Sequence, residues 1–274
     1  VHGIDHLDWF ATLGTQRLTM SGGWHDAGDQ LKYLITSSYA TAHMLMAYEL
    51  YPDRFEDKVN ALGQSGPNGI ADVLDEAKWG LDWLVKMHPR KDWMFNQLAD
   101  DRDHMSMRIP KEDNYYGRGF ERPVYFINGQ PQQRGKFLNN TTGTSSTAAK
   151  FSAAFTLAAA IFKTTPFAKL YEEKASSAYQ FSLIKPGVTQ TASVRSPYIY
   201  AEDNWKDDIQ LAASSYYQSQ EFIYKKFKRQ EVYVSPSKPD KDLLSFAFSY
   251  AKHESITPWL GADTAHHYQW YPFI

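Results

Sequence analysis

"IADVLDEAKWGLDWLVKMH" occupies residues 70–88, and its apolar positions decide what kind of chain this is. Ile70, Val73, Leu74, Ala77, Leu81, Leu84 and Val85 recur at intervals of three and four. That spacing lays them in one wide stripe along an α-helix, whereas a half-buried strand would alternate at every second residue. Pro89 follows and closes the helix, because its ring removes a donor and clashes with the preceding turn.

The same period extends in both directions. Upstream, "QLKYLITSSYATAHMLMAYELY" (30–51) sets Leu31, Leu34, Ile35, Ala42, Leu45 and Met46 at helical spacing, and Pro52-Asp53 stops it. The loop "LGQSGPNG" (62–69) separates the two helices. Downstream, "GTSSTAAKFSAAFTLAAAIFK" (143–163) is Ala-rich and apolar on most sides, which predicts deep burial. "PFAKLYEEKASSAYQFSL" (166–183) is amphipathic, with Pro166 suited to a first turn, and Pro186-Gly187 ends that pair. Residues 204–227 and 240–254 add two more helices. Strand-like alternation is confined to "EVYVS" (231–235), and residues 89–142 read as a long irregular excursion, of the kind that is functional or disordered. The pattern predicts an all-α protein of helical hairpins packed side by side, with no fixed-period repeat and one domain over 1–274.

With 274 residues the chain can bury a large core. A net charge of -2 gives no electrostatic case for nucleic acid, which needs clustered Lys and Arg. The basic run "YKKFKRQ" (224–230) reads as a solvated helix face. The longest apolar run, "FSAAFTLAAAIF" (151–162), is too short to span a bilayer. There are no cysteines, so disulfides and thiolate metal sites are excluded. The aromatic share is high at 15%, including 8 Trp and 18 Tyr; such rings either stack on sugars or pack the core.

The sharpest chemical signal is "SGGWHDAGDQLKY" (21–33), where Asp26 and Asp29 stand three residues apart in a glycine-rich loop behind Trp24 and His25. Two such acids can cap a helix, bind a hard cation, or hold and deprotonate a water. Spacing alone leaves all three open. The longer stretch "GGWHDAGDQLKY" (22–33) resembles the hallmark motif of family 9 glycoside hydrolases, the cellulase family rich in endoglucanases. The likeness continues in order through "ADVLDEAKWGLDWLVKMHP" (71–89), "DDRDHMSM" with "ERP" (100–123), "TGTSSTAAKFSAAF" (142–155) and "WKDDIQLAASSYY" (205–217).

The resemblance implies an (α/α)₆ barrel of six helical hairpins and inverting cleavage of β-1,4-glucans. It implies Asp29 as the base that activates water and Asp26 as the group that orients that water and shares its proton. His104 falls where the family carries a substrate-contacting His, and a loop His is the alternative. His25, Trp24 and Trp270 are further substrate-side candidates, with core packing the alternative for both tryptophans. Arg122 reads as a clamp on its loop through a carboxylate. No cofactor is implied for the reaction. Asp207 and Asp208 match an Asp-Glu position near which some members hold calcium. Asp for Glu shortens the reach, so a solvated helix turn is the expectation and a structural calcium the alternative. Adjacent His266 and His267 diverge on a helix and do not chelate one metal.

The family's general acid is a Glu following an Asn, and this sequence contains no Asn-Glu dipeptide. The first residue is not Met, and about six or seven helices are legible instead of twelve, which together read as the front half of a barrel cut at both ends. The expectation is little or no turnover by the chain alone, with the remaining C-terminal half as a partner. Were the chain active, Glu121 and Glu202 are the first substitutes for the acid. The implied location is secreted, periplasmic or cell-surface. Two alternatives stand beside an endoglucanase: an exo-acting cellodextrinase or glucosaminidase, favoured by the long 89–142 excursion, and an inactive carbohydrate-binding chain.

Overall fold

The computed structural model describes residues 10–13, 16–104, 122–195, 199–229 and 241–253. They contain six α-helices: α1 Leu34–Leu50, α2 Asp72–Met87, α3 Ser145–Ile161, α4 Ala168–Ser182, α5 Lys206–Arg229 and α6 Lys241–Ala251. Each coincides with a helical segment legible in the sequence. The described residues divide into two compact units, one from Val1–Thr141 with Gln190–Ala201, the other from Thr142–Thr189 with Glu202–Ile274.

In the first unit α1 packs against α2. Leu74, Ala77, Leu81 and Leu84 on the α2 stripe are buried together with Trp83 and Met87. Asp72 and Asp75 occupy the first turn of α2 and Lys86 the last, each on the side that the helix dipole favours. α1 ends where Pro52 opens a short 3-10 turn, Pro52–Arg54.

The near-absence of strands that the sequence suggests is corrected by seven short strands among the described residues. β1 (Phe10–Leu13) and β2 (Gln16–Thr19) form an antiparallel hairpin. β3 (Lys32–Tyr33), β4 (Phe95–Leu98) and β5 (Val124–Phe126) form a three-stranded antiparallel sheet in that order. β6 (Gln133–Arg134) and β7 (Phe137–Leu138) make a further pair. The excursion 89–142 is therefore an ordered sheet-and-turn segment over its described part. Its strands are two to four residues long, too short for alternation to register, and β4 is buried throughout. "EVYVS" lies outside the described residues. Beyond β4, Ala99 takes φ 66 and turns the chain sharply.

In the second unit α3 is the central helix. Fourteen of its residues are buried, among them Ala148, Ala149, Ala153, Ala154 and Ala158, and small side chains let neighbours approach closely. α4 and α5 pack on α3, and α6 packs on α5. The α3 hydroxyls stitch it to α4: Ser145 Oγ donates to Ser182 O at 2.8 Å and Ser152 Oγ to Ala175 O at 2.9 Å. Pro166 lies in the turn before α4, one residue ahead of the N-cap Phe167, and not in the first helical turn. Beyond α4 the chain doubles back at Gly187, where a Cβ on Gly143 would meet Gly187 Cα at 2.4 Å.

Candidate active site

The loop before Asp26 is held by side chains along its whole length. Trp83 Nε1 donates to Met20 O at 3.2 Å, Lys86 Nζ to Ser21 O at 2.6 Å, Lys32 Nζ to Gly22 O at 2.6 Å and Trp79 Nε1 to Gly23 O at 2.8 Å. Four successive carbonyls thus find donors, three of them from residues 79, 83 and 86 on one face of α2. Trp24 Nε1 returns a bond to Glu76 Oε1 at 2.7 Å, and its ring rests on Gly80, where a Cβ would come within 2.2 Å of Trp24 Cη2. Trp24 is a packing and hydrogen-bonding anchor between loop and helix. His25 beside it is half-buried.

The loop then closes on itself, with Asp26 N donating to Leu31 O at 2.8 Å. Asp26 receives a hydroxyl on each oxygen: Thr36 Oγ1 reaches Oδ1 at 3.0 Å and Tyr200 OH reaches Oδ2 at 2.7 Å. Tyr200 is held by an edge contact with Tyr33, ring centroids 5.1 Å apart. Asp29 is deeper, 7% exposed, and accepts from Leu31 N at 3.0 Å through Oδ1. Its Oδ2 meets His104 Nε2 at 2.5 Å.

His104 is delivered by a tightly tethered turn, Asp101–Asp103. Asp100 accepts two bonds from the Arg102 guanidinium at 2.7 Å and one from Tyr125 OH at 2.7 Å. Asp101 accepts from Val194 N at 2.5 Å and Arg195 N at 2.7 Å. Arg122 Nε donates to Asp103 Oδ2 at 3.1 Å, with both side chains fully buried. Arg122 is thus engaged with the turn next to His104.

Sequence reading brings Asp26, Asp29 and His104 together, and the structure places all three in one unit. It does not anticipate Tyr200 or Thr36, which hold Asp26, or that His104 meets Asp29. Trp270, His266, His267 and Glu121 lie outside the described residues.

Asp207 and Asp208 depart from the solvated turn expected of them. Asp208 is 2% exposed and its Oδ1 contacts Lys150 Nζ at 2.6 Å. The same Nζ lies 2.8 Å from Glu202 Oε1, so Glu202 is committed to a buried ion pair in the second unit and not to a substrate. Burial pushes the Asp208 carboxyl well above its ordinary range, and neighbouring Asp207 and Glu202 add to this against the pull of Lys150. These residues do not fit the calcium suggested by resemblance. An ammonium stands among the oxygens, and no three His, Cys, Asp or Glu among the described residues converge to hold an ion.

The described residues make an all-α chain of helical hairpins in which an adjoining helix ties down a two-carboxylate loop. The model of glycosyl hydrolase family 9 matches residues 6–266, and the chain belongs to that family. Endoglucanase C of Cellulomonas fimi is 32% identical over 115 residues, covering 39% of this chain and 10% of that protein. Endoglucanase D of Acetivibrio thermocellus is 28% identical over 177 residues, covering 65% and 24%. A metagenome-derived family 9 endoglucanase of solved structure superposes with a TM-score of 0.58 at 26% identity, covering 91% of this chain and 48% of that one. The fold is that of the family's (α/α)₆ barrel proteins. This chain spans about half the length of that solved relative and a quarter or less of those two curated ones.

Proposed function

We propose that the whole protein hydrolyses internal β-1,4-linkages of a glucan with inversion, and that Asp29 and Asp26 manage the attacking water. The supporting observation is the loop that holds both carboxylates as acceptors, Asp26 by Tyr200 and Thr36 and Asp29 by His104 and the Leu31 amide. In this reading water binds beside the pair, Asp29 takes its proton as the oxygen attacks the anomeric carbon, and Asp26 orients the water. His104 holds the Asp29 carboxylate in place until substrate and water arrive.

An inverting site also requires an acid to protonate the leaving oxygen, about 6.5–9.5 Å from the base. By resemblance that acid is a Glu after an Asn, so the complete reaction is assigned to the whole protein and binding with little turnover to this chain alone. The endoglucanase names of the relatives favour internal cleavage over exo action or a purely carbohydrate-binding role. A polymeric substrate that cannot enter a cell places the enzyme outside the cytoplasm. Among the described residues no helix is long and apolar enough to cross a membrane.

The test is Asp29→Asn in the whole protein. Removing a positioned base costs about 10²–10⁴-fold in turnover, or roughly 3–5 kcal/mol of barrier. The variant is expected to keep its melting temperature and lose hydrolysis by that factor, while wild type releases the α-anomer, read by NMR. Turnover close to wild type in Asp29→Asn, or release of the β-anomer by wild type, rejects the reading.

A further inference from the structure

Residues 190–195 belong to no helix or strand, yet 190–193 are buried. Buried backbone donors and acceptors need partners, so side chains supply here what a neighbouring strand would. Asn96 Nδ2 donates to Gln190 O at 3.0 Å, and Asn139 Nδ2 donates to Gln190 O and Thr191 O at 3.2 Å each. Gln97, fully buried on β4, serves Ala192 in both directions. Its Oε1 accepts from Ala192 N at 2.7 Å and its Nε2 donates to Ala192 O at 3.0 Å. The second N–H of the carboxamide reaches Ala99 O at 2.9 Å. Gln97 thus does for Ala192 what the backbone of a paired strand does. Glutamate of the same length offers no donor when ionised, and asparagine is one methylene short.

This segment also holds Tyr200. Thr191 Oγ1, beside the Gln97 contact, accepts from Tyr200 N at 2.8 Å. The Tyr200 hydroxyl reaches Asp26 Oδ2 at 2.7 Å, and its ring meets Tyr33 edge-on. Tyr33 is in turn the residue that pairs with Gln97 across β3 and β4. One glutamine therefore fixes both the stretch that anchors the Tyr200 backbone and the strand behind the Tyr200 ring. All of these residues lie in the first unit.

We infer that Gln97 and Thr191 are positioning residues: through Ala192 and the Tyr200 amide they set the Tyr200 hydroxyl on Asp26. The consequence for turnover rests on the role proposed for Asp26, whereas the placement of Tyr200 does not.

The test uses the whole protein with 3-fluorotyrosine at position 200, read by fluorine NMR, beside steady-state kinetics on a soluble β-glucan. Asp26→Ala marks the resonance of a Tyr200 ring without its carboxylate partner. Gln97→Met keeps the length of the side chain and removes its hydrogen bonds; Thr191→Val removes the acceptor of the Tyr200 amide. Both are expected to move the resonance from its wild-type position toward that of Asp26→Ala. Both are expected to lower kcat about 10–100-fold with KM within about twofold, and to add no loss in a Tyr200→Phe background. A folded variant of either kind that leaves the resonance in place overturns the inference, as do kcat losses that multiply with that of Tyr200→Phe. If Tyr200→Phe itself keeps full turnover, the role given to Asp26 fails and the resonance alone decides the placement. Gln97→Met strips partners from three buried backbone groups, a loss that can prevent folding. Thr191→Val strips one, and then decides by the same readouts.

Discussion

Asp26 shows how little of a site one residue determines. Its two oxygens each take a hydroxyl, one from Thr36 ten residues on and one from Tyr200, 174 residues away. A hydrogen bond to a charged group contributes about 1.5–3 kcal/mol, so Tyr200→Phe leaves one carboxylate oxygen short of a donor beside the proposed water site. If Asp26 orients that water, turnover of the whole protein falls about 10–100-fold. KM changes little, because the lost bond steadies the reacting water and not the sugar. Steady-state kinetics on a soluble β-glucan checks this, and kcat within twofold of wild type rejects a role for the contact. Asp26 and Asp29 are legible in the sequence because they share one short loop with a family motif. Tyr200 carries no local signal, since only tertiary folding brings residue 200 to residue 26. His104 is legible as a site residue, yet its contact with Asp29 depends on a turn pinned by Asp100, Asp101 and Asp103, whose partners sit elsewhere in the chain.

At the scale of elements, α2 is where fold and site meet. One face feeds the core and another grips the loop carrying Asp26, through Trp79, Trp83 and Lys86. Gly80 lies between these faces under the Trp24 ring. Two effects oppose each other at Gly80→Ala. Alanine favours a helix by about 1 kcal/mol over glycine. Yet its Cβ would stand 2.2 Å from Trp24 Cη2 and 2.5 Å from Thr41 Oγ1, distances that force the indole off the helix. Overpacking of this kind costs roughly 1–3 kcal/mol and the steric effect wins. Gly80→Ala is expected to lower the melting temperature and shift the near-ultraviolet circular dichroism of its tryptophans; a variant more stable than wild type shows that Trp24 does not occupy this contact. The helices are legible because each repeats its apolar period over three turns or more. The strands are not, because pieces of two to four residues carry no period and the buried β4 does not alternate. Lys150 reads as an ordinary helix lysine until α5 is brought against α3.

For the molecule as a whole, a formal charge of -2 hides where the charges are. Asp208 is buried beside Asp207, Glu202 and Lys150, and burial raises its carboxyl well above the ordinary 3.8. The folded protein therefore holds this proton at pH values where the unfolded chain has released it. Stability from this group is full below the unfolded value and is lost as pH rises through the folded one. Asn in its place keeps the size and does not titrate. The difference in melting temperature, wild type minus Asp208→Asn, is expected to fall steadily as pH is raised from about 4 upward, levelling once Asp208 ionises in the folded state. Calorimetry of both proteins across that range checks the sign. A difference that stays flat, or grows in favour of wild type, means that Asp208 is ionised throughout and that the Lys150 ammonium outweighs burial.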